Sequence, residues 1–173
     1  GDARGRRASC AGARARLGGY AGAFRAAGID PATVPVFETQ NDRAGVERGV
    51  AWLFDRPEPP TALLAMSDVM ALAALDALAQ RGLRAPADVS VVGFDDAPEA
   101  ARAHPPLTTV GQPAEEKGRA AAEMLLGLRP AQDLVLPAAL VRRSTCAPPP
   151  RCAAARPRGP CVGAQNREPV RRR

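Results

Sequence analysis

Three short stretches hold the residues that could do chemistry. "VVGFDDAPEA", residues 91–100, sets Asp95 beside Asp96 at the end of an apolar run, Ser67 and Asp68 end a second run, and Thr39, Gln40 and Asn41 end a third. Clustered carboxylates can hold a hard cation and serve phosphoryl transfer. The spacing works against this, because neighbours on a strand point to opposite faces and would meet on one ion only if the chain turned between them. There is no phosphate-cradling GxxxxGK run, and Lys117 is the only lysine. A binding role demands less. One aspartate can cap the helix expected from Pro98, and the other can accept hydrogen bonds from ligand hydroxyls, since a carboxylate takes two at once. Arg16 could supply a complementary fork of donors.

Other catalytic or metal chemistry finds little support. His104 is the only histidine, and Cys10, Cys146, Cys152 and Cys161 form no C-x-x-C pair. A zinc site and a disulfide framework are therefore not expected, and free thiols in a reducing compartment are. No metal, cofactor or catalytic residue is assigned, and the chain is not read as an enzyme.

The elements that must place these residues alternate. "ARARLGGYAGAFRAAG" brings Leu17, Tyr20 and Phe24 to helical spacing and ends at Gly28, a good C-terminal cap. "VPVFET" reads as a short strand, and "NDRAGVERGVAWLFDR" as a helix capped by Asn41 or Asp42 with Val46, Val50, Leu53 and Phe54 on one face. "TALLAM" has the continuous apolar character of a strand buried on both faces. Ser67 then caps a helix to Gly82 whose Val69, Leu72, Leu75 and Leu78 are spaced for burial. "VSVVGF" as a strand, a short helix from Pro98 to Ala103, "LTTV" as a strand and a helix after Pro113 follow. "DLVLPAALVRRST" can add two short extended segments around Pro137. Alternation with short links predicts an α/β fold with an open parallel sheet flanked by helices, whose ligands bind at the carboxyl ends of the strands. Asp95, Ser67 and Gln40 all fall at such ends.

The net charge of +6 sits in one place. Residues 147–173 carry seven arginines and one glutamate, so residues 1–146 balance at 17 basic and 17 acidic groups. A DNA-reading surface would need a basic patch on the folded domain, and the sequence offers none. Three regions are expected: an irregular N-terminal remnant, 1–12; a folded body, 13–146; and a disordered Arg- and Pro-rich tail, 147–173. The start at Gly1, with no strand or cap pattern ahead of the first helix, suggests a fragment. No apolar run is long enough for a membrane helix, so no membrane partner is expected.

The segment from "TALLAMSDVM" through "GLRAPADVSVVGFDD", "PPLTTV" and "LPAALVRRST" resembles the C-terminal half of bacterial transcription regulators of the LacI/GalR family, the likeness running from about Arg14 to Thr145. It implies a periplasmic-binding-protein-like (type I) sensor with an effector between two α/β lobes, of which this chain holds mainly the C-terminal lobe and an incomplete second one. "LTTV" and the helix after Pro113 would cross into the N-terminal lobe, and "LVRRST" would return. The likeness carries effector contacts onto Arg16, Ser67 and Asp95, and further onto Gln112 and Gln40, leaving Asp96 to hold the turn. It implies a small effector, a sugar or nucleobase-like molecule, and a cytoplasmic homodimer using the helix after Ser67. Operator DNA would be read by a helix-turn-helix that these residues do not contain. A periplasmic-type sugar- or solute-binding protein shares the fold and stands as the alternative, with "PPLTTV" favouring the regulator.

Overall fold

The computed structural model describes residues 11–148, and the expected remnant and tail lie almost wholly outside that range. The described residues fall into two units, one ending at Pro35 and the other beginning at Val36.

The first unit is a helix, α1 (Ala11–Ala26), and a 3₁₀ turn, Pro31–Thr33. Gly28 takes φ +76° just past α1, a left-handed conformation that glycine adopts at no steric cost. Asp30 caps the 3₁₀ turn by accepting the Ala32 N–H at 3.0 Å.

The second unit holds the sheet. Its elements are α2 (Arg43–Phe54), β1 (Ala62–Leu64), α3 (Asp68–Gln80), β2 (Ser90–Asp95), α4 (Pro98–Arg102), β3 (Thr108–Gly111), α5 (Ala114–Leu125) and β4 (Ala139–Val141). The strand order is β1-β2-β3-β4, with β1, β2 and β3 parallel and β4 antiparallel to β3. The fold is thus the expected open α/β sheet, mixed at one edge. Of the two extended segments expected around Pro137, only the second pairs. It runs back along β3, in register Thr109↔Val141 and Gly111↔Ala139.

The caps follow the sequence. Asp42 accepts the Gly45 N–H at 2.5 Å to start α2, and Ser67 accepts the Met70 N–H at 3.3 Å to start α3. The core joins Val46 and Val50 of α2 to Ala71, Ala74, Ala77 and Leu78 of α3, and these to Val89, Val91, Ala100 and Leu107. α3 therefore presents its alanines inward, one position off the valine and leucine face expected. Val69 is 61% exposed and Leu72 and Leu75 are only half-buried, while Ala71 and Ala74 are sealed. Small side chains let the helix axis lie close on the sheet, and bulkier ones at those positions would hold it off.

Three strand expectations need correction. "LTTV" does not leave for a second lobe: as β3 it stays in this sheet between β2 and β4, paired in parallel with β2. "VPVFET" joins no ladder, although Val36 to Gln40 keep the alternating exposure of an edge strand. Phe37 turns in to meet Gly49 and Trp52 of α2, its ring centroid 5.6 Å from the indole. With that segment unpaired, β1 is an edge strand and not a doubly buried one, and Leu64 is 40% exposed.

Candidate functional site

The parallel register sets the site. β2 ends at Asp95 opposite Gly111, the last residue of β3, so Gln112 leaves the sheet beside Asp95. The Gln112 Nε2 donates to Asp95 Oδ1 at 2.8 Å, and the Lys117 ammonium, from the first turn of α5, donates to Gln112 Oε1. The chain's only lysine thus orients the amide that holds an exposed carboxylate at the mouth of the sheet.

Asp96 does something different. Its Oδ1 accepts from Arg143 Nη2 at 2.6 Å, and Arg143 Nη1 also donates to the Leu107 carbonyl at 2.9 Å. The two adjacent aspartates therefore serve separate partners and do not converge on an ion. What separates them is the backbone: Asp95 has φ 122° and Asp96 φ 58°, both in the left-handed half of the map. For non-glycine residues such conformations cost roughly 1–3 kcal/mol each and persist only where surrounding contacts over-determine them. A turn does occur between the aspartates, and it points them at different neighbours.

Asp68 contributes from beneath. Its side chain is sealed at 1% exposure, with Oδ2 accepting the Ala97 N–H at 2.8 Å and Oδ1 accepting the Thr109 hydroxyl at 2.5 Å. Gly93 makes room for it, because a Cβ there would run into Asp68 Oδ1. Every buried side-chain nitrogen and oxygen among the described residues has a hydrogen-bond partner.

The remaining expected residues sit as follows. Ser67 is half-buried, and its hydroxyl lies 3.4 Å from Asn41 Oδ1. Gln40 is exposed on the segment leading into α2. Arg16 lies on α1, in the other unit, one helical turn before Tyr20. Burial pushes the Tyr20 phenol above its ordinary value, and the positive charge of Arg16 opposes that shift. The fold brings Asp95 and Gln112 into direct contact, and it links Ser67 to the loop before α2 through Asn41. Sequence reading missed Arg143 and Lys117, and it saw Asp68 only as a possible cation ligand. The presence of Gly93 inside an apolar strand was the available signal, since an internal glycine marks a close approach.

A cavity of about 300 Å³ lies between α2 and α3, with Val46, Val69, Met70, Leu72 and Ala73 beside Arg43 and Asp76. The Arg43 guanidinium bridges Glu47 at 3.0 Å and Asp76 at 3.2 Å across its rim. Among the described residues no helix is long and apolar enough to cross a membrane.

An open α/β sheet flanked by helices, with polar side chains at its strand ends, is the architecture of a periplasmic-binding-protein-like lobe. Residues 4–146 match the periplasmic binding protein-like domain. The chain is 42% identical over 114 residues to the transcriptional repressor CytR of Escherichia coli K12, covering 64% of this chain and 33% of that protein. It is 37% identical to the transcriptional regulator DegA of Bacillus subtilis, over 81% of this chain and 43% of DegA. Among solved structures, a LacI family regulator from Enterococcus faecium with bound ribose superposes with a TM-score of 0.71 at 28% identity, over 78% of this chain and 52% of the other. The lac repressor dimer bound to operator and an anti-inducer gives 0.66 at 33% identity, over 78% and 48%. The chain belongs to the periplasmic binding protein-like domain family, as a sensor part of the LacI/GalR type. It spans about a third of the length of CytR.

Proposed function

We propose that these residues form the effector-sensing part of a LacI/GalR-type transcriptional regulator, and that a small hydroxyl-bearing molecule binds at the strand ends around Asp95. The observation that carries this is the braced carboxylate itself: Asp95 is exposed, held by Gln112 at 2.8 Å, and fixed in an unfavourable backbone conformation. A carboxylate so placed can accept two hydroxyl hydrogen bonds, which suits a sugar or the ribose of a nucleoside. Gln112, Ser67 and Gln40, all in the second unit, complete the proposed contact set, with Gln112 acting on the ligand and on Asp95 together. The bound ribose of the Enterococcus faecium neighbour and the chain's 39% identity to a ribose operon repressor of Haemophilus influenzae support a pentose-like effector.

The mechanism is a population shift. Effector binding changes operator affinity only by as much as it distinguishes two lobe arrangements, and the DNA-reading surface belongs to parts of the regulator outside these residues. Residues 13–146 form the sensing region, with α5 and β4 reaching toward a second lobe. Two copies pair through α3, where exposed Val69 borders the apolar cavity beside α2. The protein acts in the cytoplasm as a binding module and not as a catalyst. Kinship with named repressors favours this reading over a transport-linked solute-binding protein.

The test is a thermal-shift and calorimetric titration of this chain with ribose, adenosine and cytidine. A stabilising compound is expected, because a ligand that binds only the native state raises apparent stability. Asp95→Asn should weaken it roughly tenfold to a hundredfold, the worth of one charged hydrogen bond. Equal affinity in Asp95→Asn would remove Asp95 from the site.

A further inference from the structure

Three successive residues, the last of β2 and the two that follow it, are each gripped by a side chain from a different part of the chain. Asp95 is held by Gln112 (2.8 Å), Asp96 by Arg143 (2.6 Å), and the Ala97 N–H by Asp68 (2.8 Å). Two of these grips continue to a common anchor. Asp68 also accepts from Thr109 at 2.5 Å, while Arg143 donates to the Leu107 carbonyl at 2.9 Å and, through its backbone N–H, to the Thr108 hydroxyl at 3.0 Å. Leu107, Thr108 and Thr109 lead into and begin β3, and all three are buried.

We infer that Asp68 and Arg143 are positioning residues for the effector site: they hold the turn at residues 95–97, in which Asp95 and Asp96 are left-handed, and make it one rigid body with the start of β3. This rests on the reading of Asp95 as an effector ligand. Asp68 reaches the turn from the N-terminus of α3 and Arg143 from just past β4, so the carboxylate is braced from both sides in sequence. Neither residue need touch the ligand. Asp68 is sealed beneath the turn, and both guanidinium terminal nitrogens of Arg143 are engaged by protein oxygens.

The experiment follows hydrogen exchange at the Ala97 N–H in this chain by NMR, with no ligand present. The Val91 N–H, which donates to the Thr145 carbonyl at 2.8 Å, serves as the reference for opening of the core. Asp68→Leu removes the acceptor, and Arg143→Met removes the fork while leaving the Ala97 bond in place. Asp68→Asn is the rescue, since its amide oxygen can take the Ala97 N–H while its NH₂ donates to the Thr109 hydroxyl. In Asp68→Leu and Arg143→Met, exchange at Ala97 should rise about tenfold or more relative to Val91, and in Asp68→Asn it should stay within about threefold of the unsubstituted chain. Equal acceleration at Ala97 and Val91 would mean a general stabilising role, and no change at Ala97 would mean no brace; either overturns the inference. Should Asp68→Leu fail to fold, Arg143→Met decides by the same comparison. A ribose titration then separates the two readings. Binding to the unsubstituted chain that is equally tight in Arg143→Met defeats the positioning role, and binding weakened about tenfold supports it. If ribose does not bind the unsubstituted chain, a ribose effector is what fails, and the exchange result still decides the brace.

Discussion

The strain at Asp95 and Asp96 explains why so much side-chain hydrogen bonding gathers in one turn. A helix cap needs one aspartate and a relaxed backbone, whereas here two consecutive residues sit at φ 122° and 58°. The left-handed region becomes tenable only with the Gln112, Arg143 and Asp68 contacts around it. The position of Asp95 at the carboxyl end of a strand was legible from its place after an apolar run. The brace was not, because Arg143 lies 47 residues from Asp96 and Asp68 lies 29 from Ala97, and no local pattern encodes such pairs. Gly93 gives the sharpest local test. Its missing Cβ is the space Asp68 Oδ1 occupies, with Leu107 Cδ2 3.0 Å and Ala71 Cβ 3.3 Å from the same point. Gly93→Ala should therefore destabilise by about 1–3 kcal/mol, the usual penalty of overpacking, read as a lower urea midpoint with an unchanged slope. A neutral result would show that the Asp68 carboxylate can leave its seat without loss.

Elements were legible where a local signal sets them. Asp42 and Ser67 start helices as their chemistry dictates, and Gly28 follows the end of α1. The faces were less legible. Spacing alone favoured Val69, Leu72, Leu75 and Leu78 of α3 for burial, yet of these only Leu78 is buried, beside Ala71, Ala74 and Ala77. Apolar periodicity cannot distinguish an Ala face from a Leu face when both run along one helix, and close approach to the sheet selects the smaller side chains. The two faces should answer substitution in opposite ways. Ala74→Leu, at a position 2% exposed, should cost about 1–3 kcal/mol by forcing α3 off the sheet. Val69→Ser, at 61% exposure, should change the stability of the single chain by less than about 0.5 kcal/mol. Chemical denaturation of both variants at a concentration where the chain is monomeric checks the assignment, and the reverse ranking would restore the face that spacing suggested. The strand expected at "VPVFET" failed for a related reason: its alternation is real, but a strand also needs a neighbour, and Phe37 spends its apolar surface on α2.

In the second unit, the distribution of exposed apolar surface is lopsided. Leu125, Leu126 and Leu128, at and after the end of α5, are 88%, 73% and 75% exposed, and Val135 and Leu140 follow at 92% and 60%. Elsewhere in this unit the exposed large apolar side chains are fewer, Val36, Trp52, Leu64 and Val69 at 52%, 44%, 40% and 61%, so most of the exposed apolar surface lies on the arm made by α5, β4 and the chain between them. Contiguous exposed leucines mark surface that a partner covers. The chain spans about half the length of the solved structures it superposes on, and the proposed second lobe would cover this arm. Because these side chains bury little within the chain, they contribute little to its folding and much to its association. Leu125→Glu with Leu126→Lys should therefore leave the cooperative melt of the α2–α3–β2 core within a few degrees, while shifting sedimentation of concentrated samples from aggregates toward a smaller species. A large fall in melting temperature would instead mean that the arm packs on its own unit in solution and that its leucines belong to this unit's core.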